Sequence, residues 1–381
     1  MNLRHRRRRT LDAVVVATVI AAIGVFVTGA STEVGNGPAD LIARCAAKGA
    51  TAAREVPIVG LPTDGRSDAA PSLQRAVRAA VQAGGGVVRV PTGRFVLDAP
   101  LRLGPGVKLA GQGPDTVLER GPRFLDTPGP YRGHPMITTD NAPDVTITDL
   151  TVDQRGESVR EPIERRLHES MIDVRRSSNA LVDKVVTVDP FSYSIGVAGS
   201  TDFCVMRSST SSSSQDRYDQ LDGIHVLDST DGLVVANTVD QRLGSDGDDG
   251  LAAHTIGAPV RGVVFADNVV RGGVHGNGLQ LAVGDFPITD VLILRNRFWG
   301  APKGVYTGYY TGYYAGTTAI SGIVVSDNVF VDATAFTVDF SGEATGVQVT
   351  SNLLCNSATP RLLLGDGNTV AGNATGCLTA D

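Results

Sequence analysis

The feature that most restricts how this chain can fold is a repeat. From about residue 136 onward a small residue leads, again and again, into a short apolar alternation. The series runs Ser194-Ile195-Gly196-Val197, Gly223-Ile224-His225-Val226, Gly250-Leu251-Ala252-Ala253, Gly278-Leu279-Gln280-Leu281, Gly304-Val305-Tyr306-Thr307 and Ala335-Phe336-Thr337-Val338. Counted from Ile195, the first apolar residue returns after 29, 27, 28, 26 and 31 residues. A second series, Asn237, Asn268, Asn296, Asn328, Asn352 and Asn373, follows strand-like runs such as Gly262–Phe265 and Gly322–Val325. Strands this short cannot bury an apolar face alone, so turns of roughly 21–32 residues must stack and share one core. The pattern predicts an all-β parallel solenoid, with asparagines bonded rung to rung at one bend.

Composition agrees. The 45 glycines among 381 residues exceed the usual share of about 7%, as several bends per turn require. A hydrophobic content of 42% spread along the chain excludes disorder. The net charge of −6 conceals two opposed numbers. Residues 1–30 carry five arginines against one aspartate, and residues 31–381 hold 29 basic and 39 acidic side chains, a net of −10. Such an acidic body lacks the electrostatic footprint of a nucleic-acid binder. It also disfavours polyanions unless a local basic patch or a cation mediates the contact.

The basic start, the uncharged stretch Ala13–Ala30 and the small residues Thr28 and Ala30 read as a secretory signal, with a retained membrane anchor as the alternative. The expected organisation is therefore 1–30 signal peptide or anchor, 31–55 leader and 56–381 solenoid domain, secreted or at the cell surface, as a monomer. In that compartment Cys355 and Cys377 are expected to form a disulfide, while Cys204, in Phe203-Cys204-Val205, reads as a buried small hydrophobe. No Cys/His cluster has zinc-site spacing.

Ahead of the repeats, Asp68-Ala69-Ala70-Pro71 opens a helical pattern with apolar Leu73, Ala76, Val77, Ala80 and Val81, closed by Gly84-Gly85-Gly86. Strand-like Val87–Val90 and Pro91-Thr92-Gly93 follow. A helix here caps the open end of the solenoid, where unpaired strand edges invite aggregation. The stretch from Gly60 to Asp68, Leu73–Val77 and the run from Gly84 to Gly93 resemble the N-terminal signature of the pectate-lyase-like superfamily. That superfamily includes polygalacturonases, rhamnogalacturonases, uronan lyases and epimerases, and phage tailspikes. The resemblance covers about residues 55–375 and implies a right-handed parallel β-helix.

Three consecutive turns place polar residues just before the strand: Asp222, then Asp248-Asp249, then Asn277. Stacking brings these together although they are far apart in sequence. Converging carboxylates suit glycoside hydrolysis, in which one carboxyl donates a proton to the leaving oxygen and others activate water. Gln220-Leu221-Asp222-Gly223-Ile224 is similar to the Asn-x-Asp-Gly-Ile segment of the glycoside hydrolase family that includes polygalacturonases. Gly247-Asp248-Asp249-Gly250-Leu251-Ala252 is similar to its Gly-Asp-Asp-x-Ile-Ala segment. The resemblance implies Asp248 as general acid, with Asp222 and Asp249 holding water for an inverting reaction. His275-Gly276 falls near the family's Gly-His-Gly, with Asn277-Gly278 intervening, and the family's Arg-x-Lys segment is replaced here by Lys303-Gly304-Val305-Tyr306-Thr307.

Other readings stand beside this one. Asp-Gly and Asn-Gly are turn pairs, so the same residues could serve conformation alone. The Ser245–Asp249 loop could supply oxygens to calcium. A lyase or epimerase could use His275, Lys303 and this loop, with calcium neutralising a uronic carboxylate. A non-catalytic glycan-binding surface protein is a third class. For a polysaccharide ligand the candidate contacts are His225, His254, Asn277, Gln280, Lys303 and Tyr306, together with Tyr309 and Tyr310. His225 should point outward, since Ile224 and Val226 point in. The tract Tyr306–Tyr314 holds five of the eight tyrosines and offers stacking faces for sugar rings. His134 and His168 receive no role, and the Arg155–Arg166 loop, which also carries three glutamates, reads as a solvated charged loop.

Overall fold

In the computed structural model each alternation becomes a strand that pairs in parallel with its counterpart one turn on. The structure describes residues 37–51, 54–126, 135–156, 170–215, 221–309, 320–340, 344–362 and 367–377, and residues 37–381 form one compact unit. The expectations for segment 1–30, for His134, His168 and Tyr310, and for most of the Arg155–Arg166 loop lie outside the described residues.

One ten-stranded sheet carries the site. Its strands are β1 (Leu101–Leu103), β2 (Ile137–Thr139), β3 (Ile172–Arg175), β4 (Ile195–Ala198), β5 (Ile224–Leu227), β6 (Leu251–His254), β7 (Leu279–Val283), β8 (Lys303–Tyr309), β9 (Phe336–Phe340) and β10 (Arg361–Leu362). The rest of each turn belongs to a twenty-stranded sheet, with a short four-stranded sheet between residues 260 and 345. Pairing is in register, so Ile172, Ile195, Ile224, Leu251, Leu279, Val305 and Val338 form one stacked row. All seven are fully buried. Each contributes about 1.5–3 kcal/mol of burial that no isolated turn could realise.

The asparagine series is a hydrogen-bonded ladder. The side-chain amides of Asn237, Asn268, Asn296, Asn328 and Asn352 donate to the Oδ1 of the next asparagine at 2.9–3.0 Å. Each also donates to a backbone carbonyl, as Asn296 does to Phe265, and each Oδ1 accepts the backbone N–H one rung below. The residues just before them, Ala236, Asp267, Arg295, Asp327 and Ser351, have φ near +55°. The bend therefore takes the strand's polar groups out of the sheet pattern, and the neutral amides satisfy them.

Helix α2 (Ala70–Gln82) packs Leu73, Ala76, Val77 and Ala80 over the first turns, as the pattern predicts. Val81 is instead 37% exposed. Asp68 accepts the Ala70 N–H at 3.0 Å and opens the helix. Helix α1 (Pro38–Ala46) was not foreseen. It buries Leu41 and Cys45 against Leu181, Leu233 and Val264 on the outer face of the twenty-stranded sheet. Cys204 is not a free buried hydrophobe, because it is disulfide-bonded to Cys45. The two half-cystines are 159 residues apart in sequence, and only the docking of α1 makes them neighbours. The Cys355–Cys377 disulfide forms as expected. Among the described residues no helix is long and apolar enough to cross a membrane.

Candidate active site

The residue two places before each inward strand residue occupies a bend at the edge of the site sheet. The register stacks Tyr193, Asp222, Asp249, Asn277 and Lys303 in that column. Backbone bonds confirm it: Gly223 N–H donates to Asp249 O, Gly250 to Asn277 O and Gly278 to Lys303 O, at 2.9–3.0 Å.

The glycines and the aspartates of these pairs have separate causes. Gly223, Gly250 and Gly278 do not adopt the left-handed conformation that would make them turn glycines. They are glycines because no Cβ fits. A Cβ on Gly223 would lie 2.3 Å from Val239 Cγ1 and one on Gly250 2.3 Å from Val270 Cγ1. Packing thus accounts for the glycines and leaves the carboxylates unexplained by turn chemistry.

Asp222, Asp248 and Asp249 each place one carboxylate oxygen within 4.8 Å of the others. Asp222 and Asp249 are buried, whereas Asp248 is half-buried. Asp222 Oδ1 accepts the Asp249 N–H at 3.2 Å, and Asp249 Oδ1 accepts both the backbone and the side-chain N–H of Asn277 at 2.7 and 2.6 Å. Asp222 Oδ2 lies 2.5 Å from His225 Nδ1. Burial pushes the Asp222 carboxyl up to about 7, opposed by the Asp249 N–H. Burial, then the Asp222 charge, pushes Asp249 well up, opposed by Asn277 and by Lys303. Burial pulls His225 down to about 4. The Asp222–His225 contact therefore holds one proton near neutrality, shared between a carboxyl and an uncharged imidazole.

His225 does not face solvent as expected. It projects from the outer face of β5 yet is buried, stacked on the Tyr193 ring at 4.5 Å and tilted against His254 at 5.5 Å. Tyr193 was missed by sequence reasoning, although it stands two residues before Ile195, the same offset that marks Asp222 before Ile224. In the row of His225 come Ala252, Gln280, Tyr306 and Asp339. Gln280, Lys303 and Tyr306 are half-buried along this edge, with the Lys303 Nζ 5.9 Å from the Tyr306 ring centre. Tyr309 contributes backbone to β8. His275 lies on an exposed loop, and Asn277 rather than His275 bonds to Asp249. Gly276 lies against the Asp248 backbone and its Oδ1, a contact any Cβ would block at 2.2–2.5 Å. Asp246 turns to Ser214 at 2.7 Å. Among the described residues, the trio of Asp222, Asp248 and Asp249 is thus the carboxylate group that could receive a cation.

No family model matches the chain, and no curated protein matches its sequence. Solved structures do match in shape. A polygalacturonase from Erwinia carotovora subsp. carotovora superposes with a TM-score of 0.58 at 13% identity, covering 87% of this chain and 99% of that one. An exopolygalacturonase from Thermotoga maritima gives 0.54 at 14% identity, covering 89% and 96%. PfbA, a surface adhesin of Streptococcus pneumoniae, gives 0.51 at 15% identity, covering 83% and 90%. An enzyme and an adhesin on one fold show why the shape does not choose the chemistry. With its parallel sheets, stacked core and these matches, the chain has a right-handed parallel β-helix fold.

Proposed function

We propose that the chain is an exported polysaccharide-active enzyme, a glycoside hydrolase acting on a uronic-acid- or rhamnose-containing polymer. The observation that carries this reading is the trio of Asp222, Asp248 and Asp249, with an oxygen of each within 4.8 Å of the others and two of the three buried. Half-buried Asp248 can reach a glycosidic oxygen and is assigned as proton donor. Asp222 and Asp249 hold the attacking water. Asp222, pushed up to about 7, is ionised in part near neutral pH, and in that form it is a stronger base for water than an ordinary carboxylate. Lys303, Gln280 and Tyr306 continue the edge and would bind the sugar, with Asn277 orienting Asp249.

The oxygens are close for an inverting pair, whose carboxyl groups are commonly about 6.5–9.5 Å apart, against about 5–5.5 Å in retaining enzymes. The anomer formed first, read by proton NMR, decides between the two. The primary test is release of reducing ends from a panel of uronans and rhamnose-containing polymers by wild type and Asp248→Asn. New reducing ends lost in the variant support the hydrolase. Ultraviolet-absorbing unsaturated products, abolished by chelator, would instead make the protein a lyase. Glycan binding without turnover on any polymer would make it a binding protein.

A further inference from the structure

Three successive loops, residues 241–249, 271–277 and 299–303, lead into Asp249, Asn277 and Lys303 at the edge of the site sheet. Their exposed residues are Leu243, Val274, His275 and Trp299. Leu243 is 55%, Val274 43% and Trp299 38% exposed. The charged residues of the same loops are less open: Arg242, Asp248, Arg271 and Lys303 are half-buried, and Asp246 and Asp249 are buried. The apolar strip stops at these three turns. On the next loop the exposed residues are Asp332, Thr334 and Ala335, and on the loop before, among the described residues, they are Ser213 and Gln215. Exposed apolar side chains scattered singly are ordinary, but one on each of three adjacent rungs beside a carboxylate trio points to a ligand.

Backbone bonds join the strip to the trio. Gly273 N–H donates to Asp248 O at 2.6 Å and His275 N–H to Gly247 O at 3.1 Å, so Val274 stands between two residues bonded to the Asp248 loop. Trp299 is braced. Arg271, one rung below, lies over its ring at 4.7 Å from the centre, and the same guanidinium is 3.5 Å from Asp240. A Cβ on Gly300 would come within 3.1 Å of Arg271 Nε and crowd the guanidinium. A ring held this way loses little freedom when a ligand covers it. Trp299 belongs to the turn of Lys303, two rungs from Asp249, about 10 Å along the stack at about 4.8 Å per rung. Sugar rings have apolar C–H faces that pack on such side chains, whereas a carboxylate laid over them would lose water without gaining a partner. The nearest cations are engaged elsewhere: Arg271 by Asp240 and Trp299, and Lys303 by the Tyr306 ring and the Asp249 charge.

We propose that this strip is a subsite that stacks an uncharged pyranose ring of the bound glycan, away from the bond being broken. The proposal rests on the reading of the protein as polysaccharide-active, and it narrows the substrate to a chain whose ring over Trp299 carries no carboxylate. Trp299 is the single tryptophan of the chain, so its emission reports on this strip alone. Titrations use the full protein and its Asp248→Asn form, in which hydrolysis is blocked. The probes are cellohexaose, mannohexaose, a rhamnose–galacturonate hexamer and a galacturonate hexamer. One of the first three should bind and shift the emission. Trp299→Ala should weaken that probe about three- to tenfold by calorimetry, and Trp299→Tyr, which keeps a ring face, should recover most of the loss. Val274→Asp should act in the same direction as Trp299→Ala. Val59→Ala, an exposed truncation ahead of α2, should leave affinity unchanged. Equal affinity in wild type and Trp299→Ala would overturn the proposal, as would failure of all three of those probes to bind. A galacturonate hexamer that binds as tightly as the best of them, in a Trp299-dependent way, would overturn the uncharged assignment. Trp299-dependent binding without turnover on any polymer would sink the hydrolase and keep the subsite. Turnover with Trp299-independent affinity would do the reverse.

Discussion

Two edges of the solenoid solve the same problem with different chemistry. At one bend, Asn237 to Asn373 stack their side chains so that each Oδ1 accepts the backbone N–H of the neighbouring turn. At the edge of the site sheet, Asp222, Asp249 and Asn277 do likewise, with the Asp249 N–H on Asp222 and the Asn277 N–H on Asp249. The first ladder is neutral and every amide is matched. The second places two carboxyls one rung apart, both buried, where an asparagine would satisfy the same N–H without a charge to desolvate. A chain that uses the neutral solution at six positions and the costly one here departs from stability at the place where chemistry is proposed.

The comparison is open to breaking by mutation. The largest effect should be on turnover. Asp248→Asn is expected to lower kcat by about 10²–10⁴-fold, the range of a lost general acid, with a thermal midpoint near wild type. Retained activity would return the trio to a structural role. Next comes Asn296→Ala, which removes a buried amide and leaves the Asn268 N–H and side-chain amide without their acceptor and the Phe265 carbonyl without that donor, while Asn328 Oδ1 keeps the backbone N–H of residue 296. It should cost about 3–5 kcal/mol in chemical denaturation, since each unmatched buried group costs about 1–3. A loss under 1 kcal/mol would mean the ladder is incidental.

Asp222→Asn should act in the opposite sense and stabilise. Folded Asp222 keeps its proton up to about 7, whereas an unfolded aspartate loses it near 3.8. Unfolding therefore releases a proton between those values, and the Asp222 contribution falls as pH rises through that window and is lowest above it. His225 opposes it: folded near 4 against 6.5 unfolded, it makes stability rise over about pH 4 to 6.5. The difference between Asp222→Asn and wild type isolates the aspartate. It should be near zero at pH 4 and reach about 1–3 kcal/mol in favour of the variant at pH 8, with turnover lost. A variant less stable at pH 8 would show that the carboxylate, not merely an acceptor, supports the fold. The smallest effect separates glycine from aspartate. Gly250→Ala should destabilise by about 1–3 kcal/mol through the Val270 contact, leaving the activity of the folded fraction largely in place.

The repeat spacing was enough to foresee the solenoid, the register of β4 to β8, the asparagine ladder and helix α2, because each rests on local periodicity repeated many times. At β9 it set Phe336 opposite Val305, where the structure pairs Val338 and places Phe336 on Lys303. It was enough to bring Asp222, Asp248 and Asp249 together, because a fixed offset from a periodic strand becomes a fixed place on the stack. It did not reveal helix α1 or the Cys45–Cys204 bond, which depend on where a segment outside the repeat docks. It also misplaced His225. Alternation sets which face of β5 the ring leaves from, but Tyr193, from the preceding turn, buries it there.

What the sequence determined by itself was the architecture and the grouping of the carboxylates, since a parallel stack converts spacing along the chain into position along an axis. Only the tertiary structure decided which carboxyls are desolvated and that Asn277 rather than His275 meets Asp249. Burial and charge at a point are sums over neighbours that no single repeat contains.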